Sequence, residues 1–485
     1  MKTKFFILML TIALSGLTAC SVEDNPSSPT AATEMSLYVN GEHYDIALPA
    51  DGAVNLTTLC TEFDADIRIE NAGEFQSLSV GGVDARNGSC ALHIDKIAAD
   101  CQIEIAYTTG GKSGTVSLNT LHPGIPEIVA TGRGEAPGDF YLSFVYLRLI
   151  MKYNNDGQLL YYRYEPRTIA SSDDVSGWWD FKKHLGDDGK VYYSYHANNP
   201  AHADRVMMGY DPGVRVILDD HYKVVKTIGL LPSRNGYVDA DEPLDGHDFY
   251  FFNPEHYIVS AYVERDKWGE YLYASYLQEV KDGEVVFDWW STDHKILKTW
   301  IDPAFGLERD YAHFNSIQVL SDDNLLVSLR HLTSLIKIER ANGSGDIIWR
   351  IAGIELDEKQ SFSGQHYATL LNDGTLTLFD NGNGHNPPVT RLLHLTVNPE
   401  TGSVTGGGNI LPDDDNNYFT QACGSFALVG NNYVAGWGIP GLKEGPHDRL
   451  VTEMDANGKE IFGLRHTGTY QEDFFGSTYR CVKCE

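Results

Sequence analysis

Ala312-His313-Phe314-Asn315-Ser316-Ile317-Gln318-Val319-Leu320-Ser321-Asp322-Asp323-Asn324-Leu325-Leu326-Val327-Ser328-Leu329-Arg330 runs histidine, apolar strand, tight polar turn, second apolar strand. Two other stretches follow the same plan. One begins Gly246-His247-Asp248-Phe249-Tyr250-Phe251-Phe252-Asn253, the other Gln365-His366-Tyr367-Ala368-Thr369-Leu370-Leu371-Asn372-Asp373-Gly374. Short apolar runs separated by Asp, Asn and Gly read as β-hairpins. A hairpin that recurs predicts a fold built of copies. His247 to His313 is 66 residues, His313 to His366 is 53, and His366 to Cys423, which opens a fourth such stretch, is 57. A period of roughly 50 to 65 suits a four-stranded propeller blade with a loop. Residues 139–485 then hold about six blades. Asp180-Phe181, followed by Asp188-Gly189-Lys190-Val191-Tyr192-Tyr193-Ser194-Tyr195, is an earlier copy. The terminal Ser477-Thr478-Tyr479-Arg480-Cys481-Val482-Lys483 is expected to close the ring against the first blade. Two stacked β-sandwich domains would leave the repeat unexplained.

The rest of the chain frames this repeat. Lys2 and Lys4, an apolar run from Phe5 to Leu14, and Leu17-Thr18-Ala19-Cys20 predict a lipoprotein signal peptide over 1–19. Cys20 is then the lipidated first residue of the mature chain. Residues 20–34 read as a flexible tether rich in Ser, Pro, Ala and Thr. Its acidic start resembles export signals of surface lipoproteins. Residues 35–121 alternate in short strands, as in Ala65-Asp66-Ile67-Arg68-Ile69-Glu70, and predict a small β-sandwich domain. His122-Pro123-Gly124-Ile125-Pro126 marks the boundary to a propeller over 122–485. The fold class expected is all-β: a six-bladed β-propeller preceded by a small N-terminal β-sandwich domain. The expected location is the bacterial cell envelope, lipid-anchored at the outer membrane, on the periplasmic face or the cell surface. The net charge of −30 disfavours nucleic acid and anionic membrane, so the lipid is the expected membrane contact. Cys481-Val482-Lys483-Cys484 does not open a helix in a βαβ unit, which argues for a structural bridge or free thiols over redox catalysis. A homodimer stays open.

In a propeller the innermost strand of each blade starts at one mouth of the central channel. Histidines at the same point of three copies should therefore ring that channel. His184, His196, His256, His294, His331, His385 and His394 fall outside the pattern and read as hydrogen-bonded structural residues. A histidine cluster can bind a transition metal, but carboxylates at the strand starts are scarce, so no metal is assigned. Neutral imidazole is also a nucleophile toward phosphorus or sulfur and forms a labile adduct. Arg330 supplies a planar fork for the oxygens of a transferred anionic group, and Asn315 an amide on the face of His313 by the period of two.

At these residues the chain resembles the bacterial arylsulfotransferase (arylsulfate sulfotransferase) family. The matching stretches are Gly246-His247-Asp248-Phe249, His313-Phe314-Asn315-Ser316-Ile317 with Leu326-Val327-Ser328-Leu329-Arg330, Trp349-Arg350-Ile351-Ala352-Gly353, and Gln365-His366 with Phe379-Asp380-Asn381-Gly382. The order of these pieces is more specific than any one of them. The resemblance covers roughly 122–485 and implies a small β domain before a six-bladed propeller. It implies transfer of a sulfuryl group from a phenolic sulfate ester to a phenolic acceptor, by a ping-pong route and without a phosphoadenosine-type donor. His366 would be the nucleophile that becomes a sulfohistidine. His313, Asn315 and Arg330 would hold the sulfuryl oxygens, with Gln365 beside the nucleophile. His247 would bind sulfate or act as acid and base. No cofactor is implied. Two departures stand out. No second cysteine lies close to Cys423 in sequence, and that copy offers Cys-Gly-Ser where the others offer His. Residues 122–245 match loosely; Tyr250, Tyr367 and Trp437 are candidate stacking surfaces for an aryl ring. The alternative function is a non-catalytic surface propeller that binds a sulfated or aromatic ligand, or a partner protein. A metal-dependent oxidoreductase or hydrolase comes third.

Overall fold

The structure is a computed structural model, and it describes residues 31–63, 65–92, 98–166, 177–198, 209–239, 242–305, 309–411, 418–441, 448–468 and 477–484. The signal-peptide and lipidation expectations at 1–19 and Cys20, and most of the tether, lie outside these residues. The described chain is all-β: strands joined by turns, with short 3₁₀ turns as the helical element.

Two sheets form the N-terminal unit. One carries Glu42–Ala47, Glu34–Val39, Ala65–Ile69 and Ser89–Leu92; the other carries Ala53–Asn55, Lys112–Asn119, Gln102–Thr109, Ser77–Val80 and Val83–Asp84. Alternation sets their faces: Met35, Leu37, Val39, Ile67, Ile69, Val80, Ile105, Val116 and Leu118 are buried, and many of the residues between them face outward. This unit is not closed at residue 121. Thr58–Cys60 leaves it and pairs with Leu159–Tyr164 as the outer strand of another sheet. Its core also runs on into Phe140, Leu142, Phe462 and Leu464.

Six further sheets of four or five strands follow. Their innermost strands are Thr478–Cys484, Trp178–Leu185, Tyr250–Asn253, Phe314–Val319, His366–Leu370 and Ser425–Val429. Each sheet packs on the next, and the last packs on the first. The seams hold large apolar side chains. Tyr141, Tyr161, Phe181 and Tyr193 fill the first seam, Phe249 and Tyr276 the second, Phe287 and Leu325 the third, Leu376 and Leu393 the fourth. Full burial of one such side chain contributes roughly 1.5–3 kcal/mol, so the seams supply the cohesion of the ring.

The ring closes twice. Ile128–Gly132 adds to Glu460–His466, and Thr478–Cys484 adds to Asp139–Phe144. The expected closing strand is therefore present, and it supplies the innermost strand of its sheet. A buried ion pair locks it: Lys483 Nζ lies 2.6 Å from Glu453 Oε2, both side chains fully enclosed. The other Glu453 oxygen accepts the backbone N–H groups of Glu135 and Ala136. Removing one partner of such a pair strands a buried charge. Glu453→Leu should lower stability by about 3–5 kcal/mol. The check is a thermal melt; an unchanged midpoint would show that the clasp is dispensable.

Candidate functional site

His247, His313 and His366 come together. The ring centroids of His247 and His313 are 5.1 Å apart and those of His247 and His366 are 6.4 Å apart. All three are nearly inaccessible. Each ring is held through Nδ1. The acceptor is Asp245 Oδ1 at 2.7 Å for His247, Asp310 Oδ2 at 2.5 Å for His313, and Asn381 Oδ1 at 2.6 Å for His366. Carboxylate and amide oxygens accept, so Nδ1 donates in each ring, and in the neutral rings of His313 and His366 Nε2 keeps its lone pair. Two of the acceptors are themselves held. Ser260 donates to Asp245, and Asn381 Nδ2 donates to the carbonyls of Thr420 and Cys423.

The convergence does not come from identical backbone positions. His313 precedes its strand with φ 49°, whereas His366 begins its strand and Tyr367 takes φ 48°. Asp180 and Cys423 also sit at φ 51° and 63°. A bulge interrupts the inner strand after Trp179, after Phe314 and after His366. The copies at Asp180, His313 and His366 thus combine an irregularity at the strand start with one left-handed residue, which is the histidine itself at His313 and the residue after it at His366. A non-glycine residue held there costs of order 1–3 kcal/mol, and such strain gathers at functional sites.

Burial pushes the His366 and His313 imidazoles well below their usual range. The Arg330 charge adds to this at His366, and His247 with Arg330 at His313. Burial raises the carboxyl of Asp310. Arg330 follows Leu325–Leu329, and its backbone N–H bonds the His313 carbonyl at 2.8 Å. Its guanidinium lies over the Phe305 ring at 4.6 Å and donates to the Gln421 carbonyl at 3.1 Å. Its Nε is buried with no partner, an orphan donor on a half-buried cation.

Asn315 and Gln365 are also buried; the amide nitrogen of each donates inside the scaffold, while Asn315 Oδ1 and Gln365 Oε1 have no hydrogen-bond partner among the described residues. Asn315 Nδ2 donates to the Gln365 carbonyl at 2.7 Å, and Gln365 Nε2 donates to Ser328 Oγ at 3.0 Å. They tie the fourth inner strand to the fifth just before His366. The period-two argument that put Asn315 on the face of His313 does not apply across the bulge. Of the aromatic candidates, Trp437 and Tyr250 belong to core clusters, and Tyr367 carries Arg480 over its ring at 4.5 Å. The aromatic rings near the histidines are others: Trp179 at 5.5 Å and Tyr479 at 6.0 Å from His247, and Tyr262 at 5.5 Å from His313.

His331, read from sequence as structural, packs on His313 at 4.2 Å and bonds the Asp310 carbonyl through Nδ1 at 2.6 Å. Asp310, His313 and His331 offer ligand atoms close enough for a metal ion. Two of those nitrogens are already committed to Asp310 in hydrogen bonds. His184, His256, His385 and His394 bond Ser194, Glu279, Asp380 and Tyr433, and His294 stacks on Trp289, as structural histidines do. Cys60, Cys101, Cys423, Cys481 and Cys484 are free.

Beneath the histidines lies a buried group of charges. Asp180 pairs with Lys182, Arg215 and Arg480, and Asp248 pairs with Lys182 and Arg480. Arg480 also donates to the Asn315 carbonyl at 3.1 Å, and Tyr479 donates its hydroxyl to the His247 carbonyl at 2.7 Å. Three cations against two carboxylates leave this plug net positive in a chain of charge −30.

The family model described as Arylsulfotransferase (ASST) matches residues 201–467, a span that contains His247, His313, Arg330 and His366. The chain belongs to the arylsulfotransferase family. Membership implies an aryl sulfate donor and a phenolic acceptor as small-molecule substrates. No curated protein matches the chain. Among solved structures, a protein of unknown function from Bacteroides caccae is 14% identical, with TM-score 0.42, over 71% of this chain and 98% of that one. A streptogramin B lyase is 9% identical, with TM-score 0.31, over 70% and 98%. A quinonprotein alcohol dehydrogenase-like protein from Bacteroides thetaiotaomicron VPI-5482 is 8% identical, with TM-score 0.33, over 90% and 100%.

Proposed function

We propose that this arylsulfotransferase-family protein moves a sulfuryl group from a phenolic sulfate ester to a phenol in two half-reactions through His366, as a lipoprotein anchored in the cell envelope at Cys20. The observation that carries the reading is the anchoring of all three imidazoles through Nδ1, which leaves Nε2 as the reactive nitrogen. In the first half-reaction the His366 Nε2 lone pair attacks sulfur. The bond from sulfur to the aryl oxygen breaks, its electron pair leaves on that oxygen, and the phenolate takes a proton. In the second, the acceptor phenol gives up its proton and its oxygen attacks sulfur. The N–S bond then breaks and returns its electron pair to Nε2. His247, backed by Asp245, is placed to carry the proton in both directions. Arg330, with its orphan Nε, supplies fixed positive charge for the sulfuryl oxygens.

The test is incubation of the purified protein with a chromogenic aryl sulfate and a phenol, with mass spectrometry of the quenched intermediate. Phenol release and a sulfuryl group on His366 are expected. Ligand-induced stabilisation with no release and no adduct would replace the enzyme with a binding protein. The pH dependence has a defined sign. The nucleophile is the free base, and its pKa lies well below the usual imidazole value near 6.5. Adduct formation should therefore persist below pH 6.5. A rate already falling as pH drops through 7 would contradict the buried neutral imidazole.

A further inference from the structure

The three reactive imidazoles are not backed alike. His247 and His313 bond carboxylates, Asp245 and Asp310, whereas His366 bonds the side-chain amide of Asn381. The direction of that amide is set by its surroundings. Asn381 Nδ2 donates to the Thr420 carbonyl at 2.9 Å and to the Cys423 carbonyl at 3.0 Å, so Oδ1 is the atom turned to the ring. Asn381 is fully buried, so solvent does not compete for these bonds. A carboxylate behind an imidazole stabilises the protonated ring, since it gains an ion pair on protonation. A neutral amide fixes the tautomer equally well and gives much less of that stabilisation.

We infer that Asn381 is a positioning residue: it holds His366 in the Nδ1–H tautomer and, as a neutral acceptor, adds no countercharge that would favour the imidazolium. The inference rests on His366 being the nucleophile. It divides the labour within the cluster. The ring of His247, backed by the Asp245 carboxylate, is suited to take up and release protons, and the amide-backed ring to present a bare Nε2 to sulfur. The groups facing His366 support the division. The fourth sheet brings the Arg330 cation and His313, and the third brings His247. Positive charge from Arg330 opposes protonation of His366, and Asn381 adds no countercharge at its own position.

Two measurements test this. In the wild-type protein, ¹⁵N NMR of labelled histidine, with the His366 signal identified by its loss in His366→Gln, should show Nδ1 protonated and Nε2 bare between pH 6 and 8. An Nε2–H tautomer, or an imidazolium, would overturn the inference whether or not the protein transfers sulfate. In Asn381→Asp, verified as folded by its thermal melt, the new carboxylate should favour the imidazolium. The acidic limb of His366 adduct formation should move up by about one pH unit or more. A variant that keeps the wild-type limb would overturn the inference and leave the transferase reading standing. Absence of any adduct in wild type would remove the transferase reading itself, and the inference with it.

Discussion

His366→Asn, mixed with an aryl sulfate, is expected to carry no sulfuryl group and to release phenol more slowly than wild type by on the order of 10⁴-fold or more. No side chain placed beside it can take over. His247 and His313 converge on the same space, but each is tied through Nδ1 to its own buried carboxylate and is presented from another sheet. Attack on sulfur needs an in-line lone pair at contact distance, and the His247 ring, whose centroid lies 6.4 Å from that of His366, does not supply one. The substitution itself should be mild for the fold. Asn381 would keep its bonds to Thr420 and Cys423, which are independent of the ring. The measurement is a single-turnover assay with mass spectrometry of the quenched protein. Phenol release near the wild-type rate from a correctly folded His366→Asn protein would move the nucleophile to another residue.

Arg480→Met should lower stability by about 1.5–3 kcal/mol through the loss of its buried charged hydrogen bonds. Arg480 is buried and reaches Asp180 at 2.9 Å, Asp248 at 3.3 Å and the Asn315 carbonyl at 3.1 Å. Methionine fills much of the volume but offers no donor. Asp180 keeps Arg215 and Lys182, and Asp248 keeps Lys182. The enclosed set then changes from three cations and two carboxylates to two of each. The Asn315 carbonyl loses a charged donor on the same residue whose amide ties down Gln365, next to His366. Loss of stability and loss of transfer should therefore appear together. A thermal melt and the single-turnover assay read the two; an unchanged midpoint would show that the closing strand does not depend on its central arginine.

The histidine triad was legible because each member opens a hairpin of the same composition. The reading survived although the backbone register was off by one, because a bulge with a single left-handed residue re-aims the side chains. The Nδ1 acceptors carried a fainter signal. Asp245 and Asp310 lie two and three residues before their histidines, a local spacing that can be read once a convergence is suspected. Asn381 belongs to the Phe-Asp-Asn-Gly stretch that carried the resemblance, but its bond to His366 spans a hairpin. Asn315 sits at the irregularity between Phe314 and Ser316, where alternation with period two, which holds along a regular strand, no longer sets the face of a side chain.

What the sequence by itself determined is local and periodic. Repeated hairpins mean repeated sheets, alternation means a sandwich, and histidines at hairpin starts mean a shared focus. Tertiary structure alone decided what crosses between distant segments. The last described strand, Thr478–Cys484, pairs with Asp139–Phe144 and thereby brings Tyr479 and Arg480 under the histidines. Thr58–Cys60 leaves the sandwich to edge a sheet of the ring. Buried charges from the first, second and third sheets meet in one plug. No pattern along the chain encodes these meetings, because they are set by how a closed ring of sheets satisfies its edges and its buried charges at once.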